Sequence, residues 1–281
     1  MDRTITTHVS GGVLTVTLHN PPVNVLSATM MRELHDRLAA VRDDPSIRVI
    51  VFDSADSEFF LAHVDIRILD EKQTFDELVA AAPAGLNVFQ AVGELIRHQP
   101  QVTIVKLAGI ARGGGAEFVA AADLTFAALE TARIGQIESL MGIIPGGGGT
   151  QYLRERIGRN RAMEVILTGD SVDAATAAAY GWINRALPAD ELDEYVTRTA
   201  RDIAALPDGV IPAVKRALPP ADHSGALLVE DEVGMALLNP VALRIMSDAI
   251  EAGAQTPDGE RRLEALVRKV WQDNPQRGHG G

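Results

Sequence analysis

Two short runs, IRVIVFDS at 47–54 and TIVKLAG at 103–109, most constrain what this chain can fold into. Both are rich in β-branched residues, and apolar side chains stand at successive positions where a half-solvated strand would alternate. That is the pattern of a strand buried on both faces, found chiefly in parallel sheets covered by helices. Around these runs the apolar period switches to the helical one. Ser27 is placed to cap a helix whose Met31, Leu34, Leu38 and Val41 form one stripe, and a second helical pattern runs from about Phe75 to His98. Strands alternating with helices predict an α/β fold with a largely parallel sheet. At the start, TITTHV and VLTVTLH alternate around Ser10-Gly11-Gly12, as a hairpin with one solvated face does.

Beyond about residue 190 the strand patterns stop. ELDEYVTRTARDIAAL, GALLVEDEVGMALL and GERRLEALVRKVWQD all read as amphipathic helices. The expected organisation is therefore a core over 1–190 and a helical C-terminal part over 191–281, packed on its own core or on a neighbouring subunit. The tail PQRGHGG is expected to be disordered. A formal charge of −12 argues against non-specific binding to nucleic acid or anionic membrane, which needs a positive field. The chain has no cysteine, so disulfides, thiolate metal sites and thiol nucleophiles are excluded. The opening MDRTITTHVSGG has no apolar run of the kind a secretory leader carries, and a cytoplasmic location is the expectation.

The second strand is expected to feed directly into the glycines of RGGGAEFVAAADLTF at 112–126, where Gly113, Gly114 and Gly115 precede a lone carboxylate, Glu117, among small apolar residues. Glycines between a strand end and a helix start let something approach the backbone closely. The first amides of that helix have no intrahelical acceptor, so the spot suits an oxyanion or a phosphate; a tight packed turn is the plainer alternative. Neither the dinucleotide nor the P-loop spacing is met. If Glu117 is buried, desolvation raises its pKa towards the range of a proton carrier; as a helix-start acid reaching water it would be unremarkable chemically. A second isolated acid, Glu138, stands in RIGQIESLMGIIPGGGGTQYL. Two carboxylates in different environments are one way to separate acid and base roles. PGGGGT at 145–150 reads as a tight turn into a helix framing Glu138.

LAGIARGGGAEFVAAADLTFA followed by IGQIESLMGIIPGGGGTQYLRERIGRNRAMEVILTGDSVDAATAAAYGWINRAL closely resembles the crotonase family of enoyl-CoA hydratases and isomerases. With NPPVNVLSATMMREL and FFLAHVDIRIL the match runs through about residues 5–190. The resemblance implies a spiral of ββα turns, usually assembled as a homotrimer or homohexamer through a helical C-terminal part. It implies an acyl-CoA thioester as ligand, with coenzyme A entering as part of the substrate and no metal or other cofactor. The backbone N–H groups of Val64 and Gly114 would hold the thioester oxygen. Glu117 would hold and activate water for the β-carbon, and Glu138 would exchange the α-proton. Val23, Ala62, His63, Asp65, Ile66, Arg67, Arg112 and Gly113 would line the substrate and coenzyme A path, with Arg67 and Arg112 meeting the phosphates; Lys269 is a weaker candidate of that kind.

Two departures from the family pattern stand out. His63 replaces a glycine of the first oxyanion loop and is either a rim or capping residue or a third acid/base group, and Ile137 replaces the usual proline before Glu138. Asp65, like Ser27, reads as a cap. The leading expectation is hydration of a 2-enoyl-CoA to a 3-hydroxyacyl-CoA. Isomerisation, hydrolysis and decarboxylation on the same fold, or non-catalytic acyl-CoA binding, are the alternatives, because the fold does not settle the reaction.

Overall fold

The computed structural model describes residues 3–273. Strands β1 (Ile5–Ser10) and β2 (Val13–Leu18) form the expected antiparallel hairpin. Its turn places Gly11 and Gly12 at φ 56° and 79°, the left-handed pair that a two-residue hairpin turn demands. Helix α1 (Ala28–Val41) follows, with the Ser27 side chain accepting from the Met30 amide and the predicted stripe buried.

The chain then winds in repeated turns. Each places a strand in one sheet, crosses to a short strand in a second sheet, and returns through helix or further turn. The six-stranded sheet has the order β1-β2-β3-β5-β7-β10, with β3 (Val49–Ser54), β5 (Val102–Leu107), β7 (Leu124–Ala128) and β10 (Arg185–Leu187) running parallel. The smaller sheet has the order β4-β6-β8-β9, made of β4 (Phe59–Leu61), β6 (Ile110–Arg112), β8 (Arg133–Gly135) and β9 (Val172–Asp173). Strand β5 thus does not feed directly into the glycines as expected. It turns at Gly109, where an added Cβ would stand 2.3 Å from Glu58 O, and crosses through β6 first.

The helical run expected over Phe75–His98 is two helices, α2 (Lys72–Ala81) and α3 (Val88–Arg97). Pro83 and the left-handed Gly85 break it, and Asn87 restarts it in a capping box with Gln90. Helix α4 (Gly114–Ala121) is buried along its whole length. Phe118 locks its rotation by packing edge-on to Phe52 and Phe60, with ring centroids 4.9 and 5.9 Å away. Helices α5 (Gly149–Thr168, interrupted at Gly158) and α6 (Ala174–Tyr180) complete this part.

Helix α7 (Ala189–Ala204) buries Leu192, Val196, Ala200 and Ala204 in the main core, so the core extends past residue 190. After it come α8 (Val210–Ala217), α9 (Ser224–Leu237), α10 (Pro240–Glu251), α11 (Pro257–Glu260) and α12 (Leu263–Asp273). Ile245 and Ala249 of α10 and Leu263, Leu266 and Val267 of α12 form a second apolar cluster around Ile137 and Met141. Those two residues flank the turn carrying Glu138, so the C-terminal part supports the candidate site. The PQRGHGG tail lies outside the described residues. Among the described residues no single helix is long and apolar enough to cross a membrane.

Candidate active site

The three glycines each make room for a different neighbour. A Cβ on Gly113 would stand 2.8 Å from Glu138 Oε1, one on Gly114 2.4 Å from Val64 Cγ2, and one on Gly115 2.1 Å from Leu61 O. Gly113 also sits at φ 50°, ψ −125°, a conformation that side chains resist. The start of α4 is thereby pressed against the loop carrying Val64, while Glu138 approaches from another side.

That loop is held by a parallel bridge between Leu26 and Val64. The Leu26 amide donates to His63 O at 2.8 Å, and the Asp65 amide donates to Leu26 O at 3.1 Å. In this pattern the N–H of Val64 itself points away from Leu26. Gly114, as the first residue of α4, has an amide with no intrahelical acceptor. Both expected oxyanion donors are therefore available at adjacent points. Asn24, at φ 56°, braces the loop by donating to Phe60 O at 2.6 Å and Ser54 Oγ at 3.0 Å, a role sequence reading missed.

Glu117 is buried beside these amides. Its Oε1 accepts from the amides of Gly147 (2.8 Å) and Gly149 (2.9 Å). Cβ atoms added to Gly114 and Gly147 would lie 3.7 and 2.4 Å from Oε2, which places that oxygen between the two glycines. Glu117 and these two glycines line a cavity of about 10 Å³, room for one water, together with Leu26, Val64, Phe89, Val92 and Phe118. PGGGGT therefore frames Glu117 rather than Glu138, a correction to the sequence reading. Burial pushes the Glu117 pKa well up, and the charges of Glu138 and Glu230 add to it against the two amide bonds. Burial pushes Glu138 up to about 7, its own amide opposing. The Gln136 amide, with its nitrogen towards Glu138, donates to Oε2 at 3.1 Å.

His63 is 4% exposed and bonded through both ring nitrogens. Nδ1 meets Val64 O at 2.6 Å and Nε2 meets Glu260 Oε1 at 3.0 Å. A carbonyl only accepts, and burial, though it opposes ionisation of Glu260, is outweighed by His63, which holds that carboxyl below its ordinary pKa. Both nitrogens therefore carry protons. Burial disfavours that charge on His63, but Glu260 outweighs it and raises the imidazole pKa. With both ring nitrogens engaged, His63 clamps the loop that carries Val64 to Glu260.

Arg112 does not face coenzyme A phosphates as expected. It is 2% exposed. Nε and Nη2 pair with Glu264 at 2.7 and 3.1 Å, and Nη1 lies 3.6 Å from Glu260. Val23 and Ala62 are fully buried with Val25 and Phe59, so neither offers a side chain to a ligand. Asp65 does not cap the short helix that follows, whose N-cap is Arg67 with no side-chain cap bond; it closes a local turn instead, accepting from the Arg67 amide at 2.8 Å, while Ile66 packs on the second apolar cluster. Arg67 and Lys269 are exposed.

The comparisons with known proteins agree with this geometry. The family described as enoyl-CoA hydratase/isomerase matches residues 8–226. This chain belongs to that family. A "probable enoyl-CoA hydratase" of Mycobacterium tuberculosis is 34% identical over 192 residues, 68% of this chain and 71% of that protein. The 2,3-dehydroadipyl-CoA hydratase of Escherichia coli is 32% identical over 207 residues, covering 73% and 78%. A crystal structure from Streptomyces avermitilis, described provisionally as an enoyl-CoA hydratase, is 65% identical with a TM-score of 0.95, covering 96% of this chain and 99% of that one. The two-sheet architecture is accordingly the crotonase fold, and the protein is an enzyme of the enoyl-CoA hydratase/isomerase family.

Proposed function

We propose that the protein is an enoyl-CoA hydratase, adding water across the 2,3-double bond of an acyl-CoA thioester. The observation that carries this reading is the split role of the Glu117 carboxylate. One oxygen is fixed by two glycine amides, and the other lies between Gly114 and Gly147, which line a water-sized cavity together with Glu117 and Val64.

In this reaction the thioester oxygen accepts from the Val64 and Gly114 amides, which stabilise the enolate as charge moves onto that oxygen. Glu117 Oε2 holds the water and takes its proton while the oxygen bonds to the β-carbon. Glu138, in its acid form, gives a proton to the α-carbon. Burial raises both carboxyls and the charge of Glu138 raises Glu117 further, which favours a proton shared by the pair and so one acid and one base. Proton exchange between the pair and solvent resets the site. The reaction needs no metal or redox group, and exposed Arg67 is the candidate contact for the coenzyme A phosphates.

The exposed apolar side chains Leu228, Val229, Val233 and Met235 of α9, and Val241 and Leu243 of α10, support assembly through this face. A homotrimer or homohexamer is the form we propose.

The test follows loss of the conjugated-thioester absorbance with crotonyl-CoA and longer enoyl-CoAs, in the wild type, Glu117→Gln and Glu138→Gln. Turnover in the wild type that collapses in both variants supports the reading. Tight acyl-CoA binding without loss of absorbance at any chain length rejects it.

A further inference from the structure

The proposed reaction uses two carboxylates, yet a third is buried against the same loop. Glu230, on α9, is 3% exposed. It accepts from the amides of Gly148 (2.7 Å) and Thr150 (3.0 Å), from the Thr150 hydroxyl, and from Gln90 Nε2 (3.2 Å). Glu117 takes the amides in between, Gly147 and Gly149. Four successive N–H groups are thus shared alternately by two carboxylates on opposite sides of one strip of backbone. The strip is pinned at its start by Asn87, which donates to Gly146 O at 2.8 Å and to Asp231 at 2.9 Å.

We propose that Glu230 is a positioning residue of the active site: by holding Gly148 and Thr150 it fixes the Gly147 and Gly149 amides, and so the Glu117 carboxylate. If one set of amides rotates, the peptides between them turn the other set as well. The orientation of the Glu117 carboxylate at the cavity it lines therefore depends on Glu230 being seated. A glutamine would keep the shape but place a donor nitrogen where amides or the Thr150 hydroxyl need an acceptor. A second buried negative charge near Glu117 also works against stability, which a purely structural anchor has no reason to incur.

The charged and titratable groups around Glu117 are Glu138, Glu230 and Tyr152; the last, neutral, donates to Glu94 at 2.7 Å. Loss of the Glu230 charge therefore shifts Glu117 towards stronger acidity. That Coulombic shift reports the nearness of the two carboxylates; a merely structural role for Glu230 would change melting temperature with kcat per folded molecule unchanged.

The experiment compares the full-length wild type with Glu230→Gln and the milder Thr150→Val, which keeps the charge. The kinetic arm rests on the hydratase reading. In Glu230→Gln, kcat per folded molecule is expected to fall by about 10²-fold, as for displacement of a reacting group by about 1 Å, with KM changed far less and the acid limb of the pH profile moved to lower pH. Thr150→Val is expected to lower kcat with the acid limb in place. A second arm needs no turnover. It titrates the carboxyl band that disappears in Glu117→Gln by infrared difference spectroscopy, and expects that band to titrate at lower pH in Glu230→Gln. A wild type without enoyl-CoA turnover would defeat the hydratase reading and leave the infrared arm to decide this one. Folded Glu230→Gln in which the Glu117 band titrates as in the wild type overturns the proposal; so does unchanged kcat in an active enzyme.

Discussion

Replacing Gly114 by alanine tests the proposed oxyanion site through one atom. The new Cβ would stand 2.4 Å from Val64 Cγ2, against an ordinary carbon contact of about 3.5–4.0 Å. The Val64 loop and the start of α4 must then separate by about 1 Å, a displacement that typically costs about 10²-fold in rate when it misplaces reacting groups. Losing one preorganised donor outright costs about 10²–10³-fold in kcat. Gly114→Ala is therefore expected to lower kcat by about 10²-fold. Overpacking should also reduce stability by about 1–3 kcal/mol. The assay is steady-state hydration of crotonyl-CoA alongside thermal unfolding. A second substitution sharpens it. With Cγ2 removed by Val64→Ala, the next atom of residue 64 is Cβ at 3.7 Å, an ordinary contact. The double variant should recover most of the lost rate. An undiminished kcat in Gly114→Ala, or no recovery in the double variant, would refute the claim that these two backbone segments form the catalytic donor pair.

Glu138, raised from an ordinary value of 4.5 to about 7, binds its proton more tightly folded than unfolded. Its contribution therefore opposes folding progressively as pH rises from about 4.5 to 7 and stays unfavourable above, so Glu138→Gln should be more stable than the wild type at pH 8, by at most about 3 kcal/mol, and nearly equal at pH 4. Denaturant unfolding at both pH values checks this. Gly147→Ala would place a Cβ 2.4 Å from Glu117 Oε2, and should reduce hydration while leaving acyl-CoA binding measurable by calorimetry. Arg112→Met leaves Glu260 and Glu264 with a missing partner and is expected to destabilise by about 3–5 kcal/mol, read by denaturant unfolding.

The parts of this structure that repeat locally were legible in the sequence. The Ser27 cap, the α1 stripe, the hairpin glycines and the two β-branched strands each declare themselves within a few residues. The glycine triplet and isolated Glu117 announced an unusual helix start, and the family resemblance pointed to Val64 as its partner. The second sheet was not legible, because strands of two or three residues such as β6 and β9 are too short to show any period. The fates of Arg112 and His63 depend on Glu260 and Glu264, far along the chain, so local reading took one for a phosphate contact and left the other open. Glu230 was hidden by its neighbours: in VEDEV it reads as part of a solvated acidic face, and only its contacts across α3 and the Gly147–Thr150 strip reveal a buried acceptor.

In the proposed reaction Glu138 moves the α-proton while Glu117 serves the water, both around an enolate held by Val64 and Gly114. Incubating a saturated acyl-CoA in deuterium oxide and following α-deuteration by NMR isolates the first step, since no water need be added. The account predicts exchange in the wild type, exchange retained in Glu117→Gln although hydration is lost, and neither activity in Glu138→Gln. Exchange that survives in Glu138→Gln and vanishes in Glu117→Gln would contradict the assignment of the two carboxylates.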